Sequence, residues 1–142
     1  WLITVANLPG ELIALLKPLL DQPTLLLIVI MLITMLVGTA MDMTPTILIM
    51  TPVLMPVIKA AGIDPVYFGV LFIMNNAIGL ITPPVGTVLN VVAGVGRMPL
   101  HEVIRGVNPF LVAQISVLFM LIVFPQLVMW PFRAFMGLPF QW

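Results

Sequence analysis

Residues 65–96 read PVYFGVLFIMNNAIGLITPPVGTVLNVVAGVG, a run of 32 positions between Asp64 and Arg97 without one charged side chain. The run is apolar enough to cross a bilayer, yet Thr82-Pro83-Pro84-Val85-Gly86 lies inside it. Each proline lacks an N–H, and its ring clashes with the turn before it, so a continuous helix cannot pass. Unpaired backbone in hydrocarbon costs several kcal/mol per group, so a break there must be buried in protein or line a wet cavity. The spacing predicts two helical halves, Tyr67–Ile81 and Thr87–Val95, separated at 82–86. A helix broken at membrane depth is a recurring way to present backbone to ions and substrates.

Composition supports a membrane setting. The chain has 142 residues, 62% hydrophobic and 7% charged, where soluble domains carry about 25% charged residues. Five basic and five acidic residues give zero net charge, and no basic patch offers a footprint for nucleic acid. No cysteine is present, which excludes a disulfide framework and a thiolate metal site. The sequence begins at Trp1 within an apolar run, with no basic segment or cleavage site before it. It therefore reads as a piece of a longer polypeptide.

Working outward, residues 1–23 read as an amphipathic connecting segment. Leu12, Ile13, Leu15, Leu16, Leu19 and Leu20 recur at helical spacing, with Glu11 and Lys17 off that stripe. Residues 24–61 hold two apolar helices on either side of Gly38-Thr39-Ala40-Met41-Asp42-Met43-Thr44-Pro45. Thr44 before Pro45 predicts the start of the second helix, and Ala61-Gly62 its stop. Either the pair makes two full crossings joined by a tight turn, or it is a re-entrant hairpin whose tip stops inside the membrane. The small residues Gly38, Thr39 and Ala40, with no basic residue at the turn, favour the hairpin.

Residues 62–96 form the broken helix, opened by Asp64-Pro65. Asn75 and Asn76 are about 100° apart in projection, so they cannot share a face. Residues 97–107 read as an interfacial loop with a short helix carrying Arg97, His101, Glu102 and Arg105. Residues 108–142 hold the final span and the C-terminal segment, with Trp130, Arg133 and Trp142 as interface anchors. If the hairpin is re-entrant, Lys17, Lys59, Asp64 and Arg133 lie on one side of the membrane. Arg97, His101 and Arg105 lie on the other. The fold class is all-α integral membrane protein.

Catalytic patterns are missing: no Gly-x-Ser-x-Gly, no phosphate-cradling glycine loop and no His-Glu-x-x-His. The chain is not expected to be an enzyme. A hairpin tip at 38–44 and a break at 82–86 both expose carbonyls and helix ends, which suit a small cation such as Na⁺. Thr39, Thr82 and Thr87 add hydroxyl oxygens. Pro83 and Pro84 remove two donors and leave a surface rich in acceptors, as a hard cation requires.

At these residues the sequence resembles the large membrane (permease) subunit of TRAP transporters, tripartite ATP-independent periplasmic transporters of the dicarboxylate and sialic-acid type. The resemblance covers Gly38 to Asp42, Pro52 to Pro56, Ala61 to Pro65 with Phe68-Gly69-Val70, and Ile78-Gly79-Leu80 leading into Thr82 to Gly86. It continues through Pro99 to Arg105 and Pro109-Phe110. It implies that this chain is the C-terminal third of such a subunit, one inverted-repeat half of an elevator-type transporter. It further implies Na⁺-coupled uptake of a small organic acid, a dicarboxylate or a sugar acid, across the bacterial inner membrane. A periplasmic substrate-binding protein would deliver the acid, and a small membrane subunit would brace the scaffold in the lipid bilayer. Carried over by position, the resemblance assigns Gly38, Thr39, Thr82, Gly86 and Thr87 to Na⁺. Asp42 lies near these positions, and Asp42, Asn76, Pro83 and Pro84 are the candidates for substrate contact or gating. Two alternatives stay open: an H⁺-coupled elevator carrier of another family, in which Asp42 titrates, and a structural membrane subunit.

Overall fold

The computed structural model describes residues 21–83 and 86–137. The expected amphipathic segment at 1–23 lies almost wholly outside them, as do Pro84, Val85 and Trp142. Among these described residues six helices follow in order: α1 Pro23–Ala40, α2 Met43–Ala60, α3 Pro65–Leu80, α4 Thr87–Gly96, α5 Leu100–Val123 and α6 Gln126–Met136. By length and composition α1, α2 and α5 can each cross a membrane, while α3 and α4 are shorter apolar helices. The regular structure of the described residues is all helical, with three apolar helices as in an integral membrane protein.

Local chemistry explains the boundaries. Pro23 opens α1 at a position where its missing N–H is not needed. Only Met41 and Asp42 separate α1 from α2, and both are extended. The expected N-cap at Thr44 is corrected: Asp42 takes that position, although its side chain makes no cap bond. Its carbonyl accepts instead from the Thr46 N–H (3.2 Å) and the Thr46 hydroxyl (2.8 Å). Thr44 and Pro45 thus fall inside the first turn, where a proline costs no hydrogen bond. Pro52 and Pro56 sit within α2 without ending it.

Gly62 stops α2 at φ +71°. Its N–H reaches Lys59 O (3.1 Å) and the Ile63 N–H reaches Ile58 O (3.0 Å), the paired bonds of a Schellman stop. Asp64 then caps α3, its carboxylate accepting from the N–H groups of Val66 (2.7 Å) and Tyr67 (3.2 Å). Pro65 fills the first helical position.

Helix α5 differs from the sequence reading. The polar interlude and the last span form one helix from Leu100 to Val123, so the boundary drawn between 107 and 108 falls inside it. Pro109 removes one helical hydrogen bond but does not break the helix. The break comes at Phe124-Pro125, and α6 follows as a separate helix. At eleven residues α6 spans only about 16 Å, too short to cross.

The core lies where α3 packs against α1, α2 and α5. Leu26, Leu27 and Ile30 of α1 meet Phe68, Leu71 and Phe72 of α3, and Val57 and Ile58 of α2 complete the cluster. Phe68 and Phe72 stack with ring centroids 5.5 Å apart.

Candidate functional site

The α1 end and the α3 break meet through two glycines. A Cβ on Gly79 would lie 3.0 Å from the Gly38 carbonyl carbon and 3.1 Å from its Cα. Only a missing side chain lets two helices approach this closely, the small-residue contact typical of membrane bundles. Gly79 was not among the residues singled out for the site. Its sequence signal was its position three after Asn76 and three before Thr82, on the last turn before the break.

Asn76 lies beside the same crossing. A Cβ on Gly38 would come 3.5 Å from Asn76 Oδ1. Asn76 is 1% exposed, and its Nδ2 donates to Phe72 O at 2.8 Å. That bond fixes the amide orientation, since the reversed amide would set two acceptors against each other. Asn76 Oδ1, like Asn75 Oδ1, is then a buried acceptor with no hydrogen-bond partner among the described residues. Such atoms are uncommon and costly in a folded interior.

The neighbouring threonines have committed their protons. Thr39, nearly buried, donates to Leu36 O at 2.8 Å, and Thr82 donates to Ile78 O at 2.7 Å. Each hydroxyl oxygen keeps lone pairs for another partner. The Thr82 N–H also bonds Gly79 O at 3.0 Å, so the first residue of the break is tied to the glycine that touches Gly38. Beyond the break, Gly86 is buried at φ +44° and starts α4. Its carbonyl accepts from the N–H groups of Leu89 (2.9 Å) and Asn90 (3.3 Å). Thr87 is half-buried in the first position of α4.

The structure therefore joins Gly38, Asn76 and Gly79 at one crossing, with Thr39 next to Gly38 in the chain and Thr82 bonded to the crossing only through the Gly79 carbonyl. Asp42 and Pro83 are exposed on this chain, and Pro84 lies outside the described residues. The side chains gathered here are oxygen acceptors with no charge among them. That set suits a hard cation better than a transition metal, which prefers imidazole or thiolate.

Asn75 does different work. Its Nδ2 donates to Met31 O (2.9 Å) and Thr34 Oγ1 (2.7 Å), joining α3 to the middle of α1. Farther along α3, the Tyr67 hydroxyl lies 2.8 Å from Leu121 O and 3.2 Å from Ile122 O.

A family model described as tripartite ATP-independent periplasmic transporter, DctM component, matches residues 1–127. The chain belongs to this family. It is 53% identical over 133 residues to the 2,3-diketo-L-gulonate TRAP transporter large permease protein of Escherichia coli, covering 94% of this chain and 31% of that one. The sialic acid TRAP transporter large permease protein of Vibrio cholerae is 40% identical, over 96% of this chain and 32% of its own. The isethionate TRAP transporter permease protein of Oleidesulfovibrio alaskensis is 30% identical, over 90% of this chain and 20% of its own. The chain thus spans about a third or less of the length of these relatives. The TRAP permease relatives are transporters, not enzymes, and the resemblance to the TRAP large permease family is confirmed.

Proposed function

We propose that this chain is the part of a TRAP permease that couples Na⁺ entry to uptake of a small organic acid. The observation that carries the reading is the buried Asn76 Oδ1, unpartnered among the described residues, beside the Gly38–Gly79 crossing. A Na⁺ ion would be carried as co-substrate, taking Asn76 Oδ1 together with lone pairs of the Thr39 and Thr82 hydroxyls. This moves Asn76 from the substrate group to the ion group. Backbone carbonyls exposed by the break would complete the shell, because such ions prefer several oxygen ligands.

In this reading α1 and α2 form a re-entrant hairpin whose tip is held against the broken helix α3–α4. Support comes from the backbone contact of Gly38, at the end of α1, with Gly79, one turn before the break. The tip and the break then travel together as an elevator-type transport domain in the bacterial inner membrane. A periplasmic binding protein would deliver the acid and a small membrane subunit would brace the scaffold. The substrate class rests on the relatives' names, which include two sugar acids and a sulfonate.

The test is uptake by the full-length permease, with its small subunit and binding protein, in proteoliposomes. Uptake should require a Na⁺ gradient. Asn76→Ala should raise the Na⁺ concentration for half-maximal uptake about tenfold, the loss of one good ligand. Uptake that is indifferent to Na⁺ would remove the coupling claim. Unchanged Na⁺ dependence in Asn76→Ala would remove the assigned ligand.

A further inference from the structure

Helix α5 carries an amide at a depth that suits apolar side chains. It runs 24 residues from Leu100 to Val123, about 36 Å, and is long and apolar enough to cross a membrane. Arg105 is its last charged residue, and charged side chains mark the boundary of the hydrocarbon. Gln114 lies nine residues after Arg105 and nine before Val123, about 14 Å along the helix from each. A hydrocarbon core of about 30 Å therefore has Gln114 close to its middle.

Gln114 is exposed on this chain, and its amide has no hydrogen bond with any described residue. The other polar side chains of this stretch are provided for. Ser116 donates to Val112 O at 2.8 Å, and Asn108 is within one turn of Arg105, near the boundary. Gly106, Phe110, Gln114 and Val117 follow at intervals of four, four and three, so they share one face of α5. Phe110 is 69% exposed and Val117 42%, and a Cβ on Gly106 would meet nothing within 4 Å. The side of α5 that packs on this chain is a different one, with Leu111, Leu118 and Ile122 buried.

We propose that the Phe110–Gln114–Val117 face is covered by a membrane helix from the part of the permease outside this chain, and that this helix hydrogen-bonds the Gln114 amide through a hydroxyl or amide side chain. Lipid tails offer no hydrogen bond, so facing them would leave the amide unpaired in hydrocarbon. Hydroxyl and amide side chains on neighbouring helices are the usual partners at this depth. A water-filled path would wet Phe110 and Val117 along with the amide. The lengths favour a helix of the same polypeptide: this chain spans about a third of its relatives, so about two thirds of the permease has yet to be packed against it. A tethered helix also has an effective concentration that a separate subunit or a second copy lacks. Na⁺ coupling has no part in this packing.

The test uses the full-length permease in membranes, assembled with its small subunit. The photoreactive residue p-benzoylphenylalanine is placed at position 110 in one protein and at position 117 in another. Proteins that still assemble are irradiated, and crosslinked peptides are identified by mass spectrometry. Both probes should join peptides of the same polypeptide that lie outside these 142 residues. Crosslinks to the small subunit, to a second permease copy or to this chain itself overturn the proposal, and so do lipid adducts without a protein crosslink. Gln114→Leu supplies a second measurement. It should lower the melting temperature of the full-length permease by about 2 °C, the scale of one lost interhelical hydrogen bond. A melting temperature that is unchanged or raised overturns the hydrogen bond, since leucine against lipid would only remove an unpaired amide.

Discussion

Gly38 and Gly79 touch backbone to backbone, but the contact is not symmetrical. A Cβ on Gly79 would meet the Gly38 carbonyl carbon at 3.0 Å, its Cα at 3.1 Å and its oxygen at 3.3 Å. A Cβ on Gly38 would meet Asn76 Oδ1 at 3.5 Å and Gly79 Cα at 3.6 Å, which are ordinary contacts. Backbone cannot step aside as a flexible side chain can. Gly79→Ala should therefore push α1 from α3 and destabilise the protein by about 1–3 kcal/mol, the usual cost of overpacking. Gly38→Ala should cost well under half of that. Reversible unfolding of both variants in mixed micelles tests the ordering, and equal losses would contradict the asymmetry.

Tyr67 repairs a defect made by Pro125. An N–H at position 125 would bond the carbonyl four residues earlier, Leu121 O, but proline has none. The Tyr67 hydroxyl lies 2.8 Å from that oxygen. Tyr67 is buried and its bond to Leu121 O is partly buried, so Tyr67→Phe takes this donor from the carbonyl. The expected loss is about 1–3 kcal/mol of stability, with little change in apparent affinity for Na⁺. A Tyr67→Phe protein as stable as wild type would show that another donor reaches Leu121 O.

The helix break, the Gly62 stop and the Asp64 cap were legible because each depends on a few adjacent residues with a fixed backbone consequence. Proline removes a donor, glycine permits positive φ, and aspartate accepts from the next turn's N–H groups. The extent of α5 was not legible in the same way. His101, Glu102 and Arg105 look like a loop by polarity, yet nothing from Leu100 onward stops a helix until Pro125. Polarity marked where the chain leaves the hydrocarbon, and backbone chemistry set where the helix ends. At the site, Thr39 and Thr82 were visible as hydroxyls near a break. Gly79 and the orphaned oxygen of Asn76 were not, because both follow from how α1 crosses α3.

Asn75 and Asn76 are adjacent and equally buried, but they should respond differently. Asn75 Nδ2 joins Met31 O and Thr34 Oγ1, while its Oδ1 has no partner among the described residues. Asn75→Leu loses two hydrogen bonds, worth about 0.6–1.7 kcal/mol each in membrane proteins. It also removes a buried unpaired acceptor, which offsets about 1–3 kcal/mol. The two terms are of similar size, so the net change in stability should stay within about 1 kcal/mol. Na⁺ dependence should be unchanged, in contrast to Asn76→Ala. Measuring stability and half-saturating Na⁺ for both variants separates a packing role from an ion role. A Na⁺ shift in Asn75→Leu as large as in Asn76→Ala would erase the distinction.

Gly86 tests whether the break must keep its shape. Its φ of +44° is a region where a side chain costs roughly 1–2 kcal/mol. A Cβ there would also lie 2.8 Å from Leu89 Cδ1 and 3.2 Å from Thr82 O. The leucine methyl can rotate away, but the Thr82 carbonyl is backbone and belongs to the break itself. Gly86→Ala should therefore move Thr82 relative to Gly79, to which its N–H is bonded at 3.0 Å. The expected outcome is a loss of about 2 kcal/mol in stability together with a raised half-saturating Na⁺ concentration. Leu89→Ala in the same background relieves only the methyl contact, at the cost of a cavity because Leu89 is buried, so it should recover none of the Na⁺ affinity. Full recovery of both would place the strain at Leu89 and leave the shape of the break without a role in ion binding.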